Sequence, residues 1–165
     1  MPKISERTTI DCEFIDVAEI LTYRPSDWML PFFRIASQEG EVVGAALRAA
    51  LKMGRQGPTP PREVTIEFDD PEQVLGGAIA LPFRWRATGY PALFKVLNGR
   101  LVIWSPSQGS SKLAFEGVCD LPAGVTDDVL GATVATQAAE AAARSLLERL
   151  TVAIEEDART RHGRV

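Results

Sequence analysis

The closing third of the chain constrains its fold most. A stretch with the alternation of β-strands, from about Arg62 to Leu121, runs into one long amphipathic helix, roughly Thr126 to Asp157. On a 3.6-residue period, Val125, Val129, Ala132, Ala135, Thr136, Ala139, Ala143, Leu146, Leu147, Leu150 and Ile154 share one face. Gln137, Glu140, Arg144, Glu148 and Glu155 share the other, with Glu140–Arg144 and Arg144–Glu148 spaced as i,i+4 pairs. Thr126 is a fair N-cap. A sheet must bury its inner face, and this helix is the obvious cover. Its apolar face is graded, alanine in the first half and leucine or isoleucine in the second. The leucine half should pack solid, while the alanine half leaves room. An unfilled hollow costs roughly 24 cal/mol per Å³, so a retained one generally holds a ligand. Alanine is also a good helix former that allows close packing, and both readings stay open at this level.

The strands supply the other wall. Val64, Ile66 and Phe68 alternate with polar residues, and Asp69-Asp70-Pro71 reads as a turn. Leu81, Phe83, Trp85 and Ala87 fall on one side of the next run, Arg84 and Arg86 on the other. Asn98-Gly99 predicts a two-residue hairpin turn. That register places Phe94, Val96, Leu101 and Ile103 inward, and Leu93, Lys95, Leu97, Arg100, Val102 and Trp104 outward. A last strand over Lys112–Asp120 directs Leu113, Phe115, Gly117 and Cys119 inward.

Earlier in the chain, Ile10, Cys12 and Phe14 share one side of a predicted strand over residues 8–14. Arg24-Pro25-Ser26-Asp27 reads as a turn and helix start. Helical segments are expected around Trp28–Ser37 and Glu41–Met53, separated at Gly40 and stopped at Gly54. Residues 57–61, rich in proline, form a connector. Trp28-Met29-Leu30-Pro31-Phe32-Phe33 is an apolar run that fits either a lid or a buried helix.

Composition narrows the function. The 165 residues carry a net charge of −4 with no basic block, which argues against nucleic acid as a partner. No apolar run approaches the ~20 residues of a membrane span, and the polar first nine residues do not resemble a signal peptide. A single domain over residues 1–157, a flexible tail over 158–165 and a cytoplasmic location are the expectations. Cys12 and Cys119 are read as buried thiols, and no CxxC or Cys/His cluster points to a metal. No nucleotide-binding loop points to a cofactor. The sole histidine, His162, sits in the expected tail, so a Ser-His or Cys-His mechanism has no base. Tyr23, Tyr90 and Thr136 are the polar groups available to orient a ligand, and no catalytic residue is assigned.

Several segments resemble uncharacterised bacterial members of the START-like, or SRPBCC, superfamily, which includes Bet v 1-type and polyketide cyclase-type helix-grip proteins. They are Leu81-Pro82-Phe83-Arg84-Trp85-Arg86-Ala87, Pro91-Ala92-Leu93-Phe94-Lys95-Val96-Leu97-Asn98-Gly99, Leu113-Ala114-Phe115-Glu116-Gly117-Val118-Cys119 and the helix Ala138 to Leu150. The resemblance covers about half the chain, and its motifs concern packing and turns. It implies an α+β helix-grip fold: a curved antiparallel sheet wrapped around a long C-terminal helix, with short helices after the first strand. It also implies that the first and last strands are neighbours, bringing Cys12 and Cys119 together, and that an apolar cavity lies between sheet and helix. With the inward faces above, the expected cavity wall comprises Ile66, Phe68, Phe83, Trp85, Tyr90 and Phe94. Val96, Leu101, Ile103, Leu113 and Phe115 continue it on the sheet, and Ala132, Ala135, Thr136, Ala139 and Ala143 on the helix. The leading expectation is binding or carriage of an apolar small molecule, lipid-like, polyketide-like or aromatic, without catalysis. The alternatives are a cyclase or aromatase using the same cavity, or an interaction module and candidate homodimer surface at Leu93 and Trp104.

Overall fold

The computed structural model describes residues 2–51, 63–88, 94–121 and 129–163. Strand β1 (Lys3–Ile10) is followed by helices α1 (Phe14–Thr22), α2 (Pro25–Trp28) and α3 (Leu30–Ala50). Strands β2 (Glu63–Phe68) and β3 (Glu72–Gln73) precede a 3₁₀ turn at Leu75–Gly77. Strands β4 (Ile79–Thr88), β5 (Val96–Ser107) and β6 (Ser110–Asp120) lead to helix α4 (Val129–His162). All pairings are antiparallel, in the order β1-β6-β5-β4-β2, with β3 also on β4. The fold is α+β: a curved open sheet of six strands packs against the long C-terminal helix, with short helices after the first strand. The first and last strands are neighbours, as the resemblance implies.

Alternation places β2 and β4 as expected. Leu81, Phe83, Trp85 and Ala87 are buried in the core, while Arg84 and Arg86 are exposed. The Asn98-Gly99 turn does not form. Both residues lie within β5, where Asn98 pairs with Arg84 and Gly99 with Phe83. The chain reverses instead between Ser107 and Ser110, where Gly109 takes a φ of +79° that suits glycine. Turn propensity is local, and at Gly99 sheet packing overrides it. A Cβ there would lie 2.6 Å from the Glu116 carbonyl oxygen and 2.9 Å from the Phe83 ring. The corrected register moves two side chains. Leu97 joins Leu101 and Ile103 in the core, each fully buried, whereas Val96 lies on the opposite face with Asn98 and Arg100.

Other boundaries shift as well. The predicted strand over 8–14 starts earlier and ends at Ile10, and Phe14 opens α1, whose Val17, Ile20 and Leu21 are buried. Gly40 does not break the second helical segment, because α3 is continuous and Gly40 lies buried in it. Gly54, residues 57–61 and the cap at Thr126 lie outside the described residues. Helix α4 continues past Asp157, so residues 158–162 are not the frayed tail expected. Ala158 is buried, Arg161 meets Glu19 at 3.3 Å and His162 meets Asp16 at 2.7 Å. Arg144 pairs not along its helix but with Glu6 of β1, at 3.1 Å. Cys12 and Cys119 are at opposite ends of β6. The Cys12 carbonyl accepts from Ser111 Oγ, while the Cys119 amide donates to the Pro2 carbonyl. Eight residues of strand separate those ends, roughly 27 Å.

Candidate functional site

The interior between the sheet and helices α3 and α4 has two unlike halves. One is filled by aromatic rings. Phe33 of α3 lies edge-on to Phe83 at 5.6 Å and to Trp85 at 4.8 Å. Trp85 in turn meets Phe94 at 5.0 Å and Phe115 at 6.2 Å. The fully buried indole needs an acceptor for its N–H. Trp85 Nε1 donates to Ser37 Oγ at 3.1 Å, and Ser37 Oγ donates to the Phe33 carbonyl at 2.9 Å. Sequence reasoning missed Phe33 and Ser37 as site residues. Their i,i+4 spacing on a helix was the available signal.

The other half is walled by small residues. Helix α3 runs along β4, with Phe33 beside Phe83 and Trp85 and Ser37 at Trp85. Glu41 lies one turn further along the same helix. Gly44 follows, so close to α4 that a Cβ on it would sit 3.2 Å from the Ala138 methyl. Ala45, Ala138 and Ala142 are all buried here.

Glu41 is only 5% exposed, and among the described residues its Oε1 has no hydrogen-bond partner. Burial pushes its pKa up to about 7, against a weaker downward pull from Arg48. It is the only charged side chain among the described buried residues. Sequence reasoning missed Glu41, because it assigned no inward face to the helical segment that holds it.

The expected wall residues fall into three groups. Phe83, Trp85, Phe94, Leu101, Ile103, Leu113 and Phe115 are buried together in the core. Ala135, Ala139 and Ala143 join them from α4, with Ile66, Phe68 and Ala132 half-buried at the margin. Thr136 is half-buried, and its hydroxyl donates to the Ala132 carbonyl at 2.8 Å, which occupies its proton within the helix. Val96 is on the outer face, and Tyr90 lies outside the described residues. Tyr23 is 65% exposed, away from the interior. Met29 and Phe33 are fully buried, so the apolar run 28–33 is core helix rather than a lid. Cys119 is an inert thiol, its pKa pushed up to about 12 by burial.

Outside the interior, Trp104 is half-buried against Val102 and Ala114, with the Arg7 guanidinium 5.9 Å from its ring. Leu93, the other residue of that surface, lies outside the described residues. A cleft of about 630 Å³ at the C-terminal end of α4 gathers Asp11, Asp16, Glu155, Arg159 and His162. Among the described residues, no group of three or more His, Cys, Asp or Glu side chains could hold a metal ion. No helix of the described residues is long and apolar enough to cross a membrane.

No protein-family model and no curated protein matches the chain. It is similar to the solved structure of TTHA0849 from Thermus thermophilus, at 15% identity over 92% of this chain and 99% of that one, with a TM-score of 0.41. It is similar to the Zhui aromatase/cyclase from Streptomyces sp. R1128, at 14% identity over 96% and 95%, with a TM-score of 0.40. A third similar structure is Ara h 8.0201, at 9% identity over 92% and 98%, with a TM-score of 0.37. With every TM-score below 0.5, these overlaps carry no functional inference. The helix-grip arrangement is defined by the chain's own topology: β1 beside β6 in an antiparallel sheet, with α4 packed on the core side of that sheet.

Proposed function

We propose that this protein binds an apolar small molecule, lipid-like, polyketide-like or aromatic, between the sheet and helices α3 and α4, and leaves it chemically unchanged. The observation that carries this reading is the change of side-chain size along the interior. Phe33, Phe83, Trp85 and Phe115 fill one half, and where α3 meets α4 the buried residues are small: Gly44, Ala45, Ala138 and Ala142. Displacing or rearranging a boundary of alanines is cheaper than displacing interlocked rings. An apolar guest entering there gains ~25 cal/mol per Å² removed from water.

Native mass spectrometry of gently purified protein, followed by denaturing extraction, tests the proposal. The expected result is a reproducible additional mass that disappears on denaturation. A ligand-free mass from several expression hosts, together with no uptake of added naphthalene, overturns it.

One observation favours a second reading, an enzyme of the cyclase or aromatase kind. A buried carboxyl that titrates near neutrality, as Glu41 does, is suited to general acid–base work. Time-dependent conversion of the extracted molecule by the protein, lost in Glu41→Gln, would favour that reading over simple carriage. An unchanged molecule favours carriage.

A further inference from the structure

We infer that Glu41 is the recognition residue of the interior and that the molecule it takes carries a neutral hydroxyl group, an alcohol or a phenol, on an otherwise apolar skeleton. The inference rests on the reading of the interior as a binding site and adds the chemistry of the guest. Glu41 is buried on the face of α3 that presents Ser37 to Trp85, and among the described residues no hydrogen-bond donor meets its Oε1. Ser37, one turn away, is already committed to Trp85 and to the Phe33 carbonyl. Oε1 is therefore an acceptor without a donor. Leaving such a group unmet is costly in apolar surroundings.

The donor inventory narrows what can meet it. A hydroxyl brings one O–H, which one free oxygen satisfies. An ammonium brings three N–H donors, and one free oxygen satisfies only one of them. Arg48, whose charge already acts on Glu41, disfavours a second cation. A carboxylate guest would set like charges together. A hydroxyl also suits both protonation states of Glu41, because it donates to the carboxylate and accepts from the acid. This agrees with a group whose ordinary acidity has been shifted to neutrality by burial.

The test compares naphthalene with 2-naphthol by titration calorimetry at pH 8, where the phenol is still protonated. The proteins are the wild type, Glu41→Met and Glu41→Gln, each first checked for native helicity by circular dichroism. The wild type should prefer 2-naphthol about tenfold, the effect of one hydrogen bond to a charged acceptor. Glu41→Met should abolish the preference while still binding naphthalene. Glu41→Gln, which keeps a carbonyl acceptor without the charge, should fall between them. Equal binding of both probes by the wild type overturns the role of Glu41 and leaves the interior site standing. A preference that survives in both variants also overturns it, since another group must then read the hydroxyl. Failure of both probes to bind the wild type overturns the interior site and the inference with it.

Discussion

Glu41→Gln should make the protein more stable at alkaline pH and leave it nearly unchanged at acid pH. The carboxyl is raised from its ordinary 4.5 to about 7 by burial, so the folded state holds its proton more tightly than the unfolded chain does. Stability is then greatest below about 4.5, falls as pH rises through the interval and levels off above about 7. At 1.36 kcal/mol per pH unit, the full interval corresponds to on the order of 3 kcal/mol, most of it between pH 5 and pH 8. Among the described residues, Arg48 is the one charged group acting on Glu41, and no other charged side chain is among the described buried residues of α4, β2 or β4. The glutamine amide brings its own cost of burial, but that cost does not vary with pH. Urea unfolding at pH 5, 6, 7 and 8, followed by tryptophan fluorescence, measures both proteins. Their difference cancels every other titrating group. The stability curves should diverge by on the order of 2–3 kcal/mol from pH 5 to pH 8, with Glu41→Gln the more stable at the upper end. Parallel curves would show that Glu41 is solvated and would remove the basis for its role in recognition.

Ser37→Ala should cost about 1–3 kcal/mol in the same unfolding assay, because it strands the Trp85 indole N–H in the core; adding Trp85→Phe should cancel part of that penalty from the donor side. Gly99→Ala should destabilise more than Gly109→Ala, by at least ~1 kcal/mol, since the first meets backbone at 2.6 Å and the second meets only the φ of a turn. The reverse order would restore the Asn98-Gly99 hairpin and refute the register. Truncation after Asp157 should lower the thermal midpoint and loosen α1, measured as faster amide exchange over Phe14–Thr22, because it removes Ala158 and the partners of Asp16 and Glu19. Unchanged exchange there would show that the last turn of α4 does not hold α1.

Much of the sheet was legible because side-chain alternation reports burial directly. Val64, Ile66 and Phe68, Leu81 to Ala87, and Leu113 to Cys119 all face as their pattern predicts. The failures share a cause. Asn98-Gly99 has strong local turn chemistry, yet Gly99 is glycine because Phe83 and the Glu116 carbonyl crowd it from neighbouring strands. A contact between residues far apart in the chain leaves no local mark. Ile10, Cys12 and Phe14 keep an alternating pattern across the junction where β1 ends and α1 begins, so periodicity extended the strand too far. The candidate site was legible on α4, where a long helix averages its pattern over many turns. It was illegible on α3, where Gly40 looks like a breaker but lies buried in a continuous helix, and where Gly44 serves close approach to α4. That misreading split the helix and hid the common face of Phe33, Ser37 and Glu41.

The same close approach lies one turn from a buried carboxyl. Gly44 sits against Ala138, so at that level the two helices meet through backbone and methyl groups. Glu41 precedes it on the same helix and is almost wholly withdrawn from water. A methionine of similar length would fill the position without the cost of burying a charge. Retaining Glu41 therefore sacrifices stability above neutral pH at the one level of the interior where the walls are smallest. The aromatic half shows the opposite choice: there the Trp85 indole donates to Ser37 Oγ, which in turn donates to the Phe33 carbonyl. Stability is concentrated where the rings interlock, and an unmet polar group is kept where they give way to alanine, which is the distribution a binding interior requires.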